Sequence, residues 1–197
     1  LSANFAGNFA QSPQALILTD RIRVFFTTRT RPGASELWVS HVMRVDFDLA
    51  LERVIDPPRK VKVPPSVLGA FDEHGIFPFS VVTSGSSVLA FATGWSRRES
   101  VPVETGIGLM VSQDEGQSFH RHGVGPILSP SLHEPFLICD GFARHTQRGW
   151  LMWYCFGTDW LEDPESKMPE RVYKIGVAHS PDGYSWVPSG GHGCIPS

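Results

Sequence analysis

A carboxylate at the head of an apolar run is costly unless something pairs with it or uses it. Glu134 is such a residue, lying in His133-Glu134-Pro135 just before Phe136, Leu137 and Ile138. Desolvated and in use, it would have a raised pKa suited to a general acid; otherwise it is a satisfied structural anion. A second acidic locus is Asp72-Glu73-His74, shortly before Phe77-Pro78-Phe79. Its loop could bring either acid to the same site, or leave both solvated. His74 could bind a sugar hydroxyl or cap the turn.

No other chemistry competes with these acids. The sequence has no phosphate-binding glycine loop, no G-x-S-x-G nucleophile turn and no Cys/His metal spacing, so no cofactor or metal is expected. Cys139 and Cys155 sit inside apolar runs and read, with Cys194, as free thiols rather than ligands. His120 and His122 read as exposed neighbours on one strand face.

The elements that must position these residues are strands. Nineteen glycines and sixteen prolines punctuate short runs rich in Val, Ile, Phe, Trp and Thr, an all-β signature. The weak helical candidates are Leu49 to Val54 and Leu161 to Lys167. Four-strand units recur: Ala15–Thr19, Ile22–Thr28, Leu37–Phe47 and a run near Leu51–Val63; then Ser80–Thr83, Val88–Trp95, Gly106–Ser112 and Ser118–His122. A third unit comprises Pro135–Asp140, Trp150–Phe156, Val172–Ser180 and Tyr184–Val187.

Two turns mark the step from third to fourth strand. Ser112-Gln113-Asp114-Glu115-Gly116-Gln117-Ser118-Phe119 and Ser180-Pro181-Asp182-Gly183-Tyr184-Ser185-Trp186 share an Asp that accepts backbone hydrogen bonds and a Gly that takes positive φ. In both, a terminal aromatic packs back on the hairpin. Asp114 and Asp182 are therefore structural.

Repeated four-stranded sheets predict a β-propeller of the five-bladed type, with about three blades represented, over residues 9–63, 76–122 and 134–188. Three blades do not close a ring. The chain is expected to form one partial propeller domain, completed by further blades or by self-association. In this frame Asp140 either points toward the channel or pins the Gly141 turn. Trp95 and Trp160 end second strands, where they stack on sugar rings or wedge between blades.

The strings SPQALIL, FDEHGIFPF, GIGLMVSQDEGQSFHRHG, LHEPFLICDG and RVYKIGVAHSPDGYSW resemble the five-bladed propellers of the glycoside hydrolase superfamily that includes families 43, 62, 32, 68 and 130. The resemblance runs from Phe9 to Trp186 and is greatest to glycosidase-like propellers associated with polysaccharide biosynthesis. It implies acids at the heads of inner strands: a base or nucleophile on the first blade, a modulator on the second, a general acid on the third. Glycoside hydrolysis uses two such carboxyl groups. Glu134 matches the third position, and Asp72 or Glu73 the second. At the first, the chain has Gln14, which can bind substrate but cannot act as base. Phosphorylase-like relatives imply an alternative with phosphate held by cations, for which Arg97, Arg98, Arg171 and Lys174 are candidates, as are solvated rim charges.

Bulk properties close off other classes. The chain has 197 residues, 41% hydrophobic and 19% charged, with a net charge of −3. There is no basic field for nucleic acid or an anionic membrane. No apolar run nears the roughly 18 residues that span a bilayer. A cytoplasmic location follows as the default expectation. The expected ligand is a carbohydrate, bound by a glycosidase-like enzyme; the alternative is a catalytically silent glycan-binding or protein-docking module.

Overall fold

The computed structural model describes residues 9–31, 37–162, 164–166, 168–188 and 190. Twelve strands are present among them: β1 (Gln11–Ile17), β2 (Ile22–Thr30), β3 (Val39–Phe47), β4 (Val54–Lys60), β5 (Ile76–Ser84), β6 (Ser87–Arg97), β7 (Val103–Ser112), β8 (His120–Arg121), β9 (Phe136–Thr146), β10 (Gly149–Leu161), β11 (Glu170–Ser180) and β12 (Val187–Pro188). They form three antiparallel sheets, β1-β2-β3-β4, β5-β6-β7-β8 and β9-β10-β11-β12, each in sequence order. Three successive up-and-down sheets are three propeller blades.

Strand periodicity explains why the blades stack. On β6, Leu89 and Phe91 project to one side and Ala90 and Ala92 to the other, and all four are buried. Leu89 and Phe91 join Ile107, Trp150, Met152, Tyr154, Phe156 and Trp186 in the core between the second and third blades. Ala90 and Ala92 join Leu16, Phe25, Val42, Phe79, Met110 and Phe119 between the first and second. A strand buried on both faces has no polar side to show, hence the unbroken apolar run Val88–Ala92. Small residues on one face let the neighbouring blade approach closely. Gly108 on β7 makes room instead for the loop between β4 and β5: a Cβ there would lie 2.1 Å from Phe71 Cζ.

The two Asp turns behave as their composition predicts. Asp114 Oδ1 accepts from the Ser118 amide at 2.9 Å, and Ser112 Oγ accepts from the Gly116 amide at 2.8 Å. Asp182 Oδ1 accepts from the amides of Tyr184 and Ser185, both at 2.8 Å. Gly116 and Gly183 have φ of +80° and +82°. Phe119 and Trp186 fold back into the two cores.

Several local expectations change. Among the described residues there is no helix, in either the 49–54 or the 161–167 stretch. In the first, Asp48 Oδ1 accepts from the amides of Glu52 and Arg53 and makes a tight turn into β4 instead. In the second, the described residues are the end of β10 and a turn. β1 starts earlier than its apolar content indicates, at Gln11, because a register shift between Gln11 and Gln14 carries Ser12 and Pro13 through an irregular segment. The fourth strands β8 and β12 have two residues each. On the third blade, Trp153, Tyr173 and Ile175 stay 37–42% exposed on the face turned away from the second blade.

Candidate functional site

A cleft of about 430 Å³ opens at one end of the three blades. It lies where β2 and β6 end, where β7 and β11 begin, and beside the middle of β9. Strand ends converge there because alternate strands of every blade run the same way, so each blade offers the same edge to the channel mouth. Its wall includes Trp38, Phe77, Trp95, Asp140 and Tyr173, with Arg29, Arg97 and Arg171 among them.

Asp140 owes its position to a distortion of β9. The register between β9 and β10 shifts between Trp153 and Cys155, so that Asp140 and Gly141 bulge out of the ladder. Asp140 has φ +56°, a left-handed conformation that Asp tolerates better than most side chains. Its amide donates to Thr93 Oγ1 of the second blade at 2.9 Å, which fixes the bulge. Bulges of this kind re-aim a side chain. The carboxyl faces the cleft, and the desolvation imposed by the surrounding walls raises its pKa. It is the only carboxylate lining the cleft among the described residues.

The arginines are held on aromatic rings. Arg29 lies over Phe77 at 5.0 Å, Arg97 over Trp95 at 5.1 Å and Arg171 over Trp160 at 5.7 Å. Arg97 also donates to the Trp38 carbonyl, and Trp95 Nε1 donates to Ser40 Oγ at 3.1 Å. Burial depresses the Arg29 pKa, and the charge of Arg171 depresses it further. Arg29 Nε is buried without a hydrogen-bond partner among the described residues, as is Thr105 Oγ1 in the same wall.

The other expected site residues fall elsewhere. Glu134 is 1% exposed, and both its oxygens accept from the Tyr154 hydroxyl, at 2.7 and 2.9 Å. The one hydroxyl proton, shared between the two oxygens, anchors the side chain inside the third blade, and Glu134 is absent from the cleft lining. Asp72 is equally buried: Arg121 donates to Oδ2 through Nη2 at 2.6 Å and Nε at 2.9 Å, and Ser66 donates to Oδ1 at 2.6 Å. It ties the loop after β4 to the second blade. Glu73 accepts from the Gly69 amide at 3.2 Å. The two-acid arrangement drawn from Glu134 with Asp72 or Glu73 is therefore not assembled in the cleft.

His74 packs on Trp95 with ring centroids 5.5 Å apart, and its Nδ1 accepts from the Arg97 amide at 3.3 Å. Burial and then Arg97 lower its pKa. It supports the cleft wall from behind. Trp160 lies outside the lining and serves as the platform for Arg171. Gln14 is half-buried opposite Phe25 on β2, His133 is exposed in the loop before β9, and Lys174 is exposed on β11; none of the three lines the cleft. Arg98 pairs with Glu104. Cys139 and Cys155 are free thiols directly opposite each other on β9 and β10, both half-buried, and Cys194 lies outside the described residues.

Sequence reasoning missed Arg29, Trp38, Phe77, Thr93, Thr105 and Tyr173 as site residues. A strand-end arginine in Thr27-Thr28-Arg29-Thr30 carries no local mark of function, because its ring partner and its cationic neighbour come from other blades.

No protein-family model matches the chain. Two curated relatives, the uncharacterized proteins MT1551 of Mycobacterium tuberculosis (strain CDC 1551 / Oshkosh) and Rv1502 of Mycobacterium tuberculosis (strain ATCC 25618 / H37Rv), are each 27% identical to it over 168 residues. The match covers 85% of this chain and 53% of either relative, so the chain spans about half the length of the curated relatives it matches. Among solved structures, a complex of BT0996 with RGII superposes with a TM-score of 0.68 at 15% identity, over 98% of this chain and 60% of that one. Sucrose-6-phosphate hydrolase from Lactobacillus gasseri does so with a TM-score of 0.66 at 15% identity, over 92% and 34%. Zg3597, a family 117 glycoside hydrolase of Zobellia galactanivorans, gives 0.64 at 6% identity, over 99% and 73%. At these identities the likeness is one of fold, and the fold is that of the propeller glycoside hydrolases, of which this chain carries about three blades.

Proposed function

We propose that the cleft binds a carbohydrate and that the chain is the recognition half of a glycosidase-like propeller protein. The observation that carries this reading is the cleft wall itself. Trp38, Phe77, Trp95 and Tyr173 supply aromatic surface beside the carboxyl of Asp140, in a channel mouth formed by three blades. Aromatic surface with a few placed polar groups is the usual make-up of a small-ligand cleft. The fold shared with glycoside hydrolases agrees with it, although fold alone does not assign a reaction.

The acid role, where the protein is catalytic, falls to Asp140 in place of Glu134. Desolvation shifts the Asp140 pKa upward, the direction a general acid requires. A glycosidase needs a second carboxyl about 5 to 10 Å away. In a full-length propeller that group would come from the blades beyond these three.

A second reading, a catalytically silent glycan-binding module, is favoured by one specific observation: Asp140 faces no second acid among the described residues of the cleft. The two readings separate experimentally. Intrinsic tryptophan fluorescence is titrated with a panel of neutral and acidic oligosaccharides, and aryl glycosides are assayed in parallel, for wild type, Trp95→Ala and Asp140→Asn. Binding weakened at least tenfold by Trp95→Ala supports the carbohydrate site. Turnover lost in Asp140→Asn with binding retained supports the enzyme. No saccharide response in any arm sinks the carbohydrate reading.

A further inference from the structure

Away from the cleft, the arginines buried or half-buried within the blades are neutralised: Arg23 by Asp46, Arg44 by Asp56 and Arg121 by Asp72. Arg144 and Arg148 lack an ion pair among the described residues, but they are exposed to solvent rather than gathered in a cleft. Arg29, Arg97 and Arg171 also form no ion pair among the described residues. All three line one cleft, where Asp140 is the single carboxyl among the described residues. In a chain with net charge −3, the described residues of this depression thus carry an excess of positive charge.

Bringing like charges together in a partly dry site is unfavourable unless a ligand reverses the balance. Arg29 and Arg171 are close enough for the charge of one to depress the pKa of the other. Arg29 Nε is buried with no acceptor among the described residues. Ring contacts with Phe77, Trp95 and Trp160 hold the three guanidinium groups in place. Arg97 spends one donor on the Trp38 carbonyl and Arg171 one on Tyr173, which leaves further in-plane N–H groups for a ligand. Planar donors fixed beforehand match the oxygens of a carboxylate or phosphate, often two at a time.

We infer that the glycan bound in the cleft is anionic, and that Arg29 and Arg171, backed by Arg97, grip its charged group. The inference rests on the cleft being a carbohydrate site and names the class of carbohydrate. The shared chemistry is a planar or tetrahedral oxyanion; a uronic acid carboxylate and a sugar phosphate are its two sources.

The test is calorimetric titration of the full chain with four probes: a trigalacturonate, a neutral galactotriose, glucose 1-phosphate and inorganic phosphate. Each is titrated into wild type, Arg29→Gln, Arg171→Gln and Arg148→Gln, the last removing an exposed charge at the far β9–β10 turn. The expected result is that the trisaccharide acid or the sugar phosphate binds at least tenfold more tightly than galactotriose. Arg29→Gln and Arg171→Gln remove most of that preference, and Arg148→Gln leaves it intact. The preferred acid tells carboxylate from phosphate. Arg171 is exposed, so its variant tests the idea even where Arg29→Gln unfolds, as thermal melting would show. Phosphate binding lost in the two variants, with no saccharide bound, keeps the oxyanion site and removes the carbohydrate reading. Equal affinity for acid and neutral trisaccharide, a preference that survives both substitutions, or no anion binding at all overturns the inference.

Discussion

The first blade and the cleft treat the same side chain in opposite ways. In the blade, Arg23 is 3% exposed, donates to Asp46 through Nε at 2.8 Å and Nη2 at 2.6 Å, and gives a further bond to the Glu115 carbonyl at 2.7 Å. Arg44 reaches the same carboxylate at 3.4 Å and Asp56 at 2.9 Å. Each of these charges is answered within the protein, so the cluster belongs to stability. In the cleft, Arg29, Arg97 and Arg171 meet rings and carbonyls but pair with no acid among the described residues. The difference teaches that unanswered charges gathered in one cleft, more than charge itself, mark the part of the surface that has something left to bind.

The comparison can be broken most forcefully at Asp46. Asp46→Ala strands Arg23 as a buried, uncompensated cation and is expected to cost about 3–5 kcal/mol, read as a shift in the urea unfolding midpoint. A loss below about 1 kcal/mol would show that the cluster is not the stability element described. Next in size is Tyr154→Phe, which takes a hydroxyl donor from buried Glu134. Hydrogen bonds to charged groups are worth about 1.5–3 kcal/mol, and a loss of that order in the same unfolding experiment, with glycan affinity unchanged, supports the structural placement of Glu134. A change in affinity at constant stability would return Glu134 to the site.

Smaller effects sharpen the contrast. Arg97→Gln removes a cation–ring contact of about 0.5–1 kcal/mol, so melting should move little while affinity for an acidic glycan falls. The two aspartates should also titrate with opposite sign. For Asp46, burial pushes the carboxyl up, but the Arg23 hydrogen bond and the charges of Arg23 and Arg44 more than reverse it, so the folded pKa is depressed. Its contribution is present above the ordinary carboxylate value near about 4 and is lost as pH falls through the lower, folded value. Asp140 is raised by desolvation. Folding therefore binds its proton more tightly, and stability declines as pH rises from the ordinary value through the folded one. Asp140→Asn should be slightly more stable than wild type at about pH 7, and the gain should vanish below about pH 4. Parallel urea titrations at several pH values check both signs.

Much of the fold was legible because strands and turns are local. Alternating apolar residues in Val172–Ser180, the Ser-Pro-Asp-Gly turn and Trp186 are contiguous, and each acts on its neighbours. The site was harder to read. Asp140 was legible as a candidate because it follows an apolar strand and precedes a glycine. Glu134 was legible as an unusual acid, but not as a satisfied one, since Tyr154 sits on another strand. Asp72 similarly depends on Arg121, which lies far along the chain.

The amino-acid sequence by itself determined the all-β class, the order of four strands within each unit and the two structural Asp turns, since these follow from periodicity and short-range hydrogen bonds. Only the tertiary structure decided which charges are answered. Whether an arginine is neutralised depends on atoms contributed by other strands and other blades. Arg23 and Arg29 are six positions apart on one strand, yet one is locked to Asp46 and the other faces an open cleft.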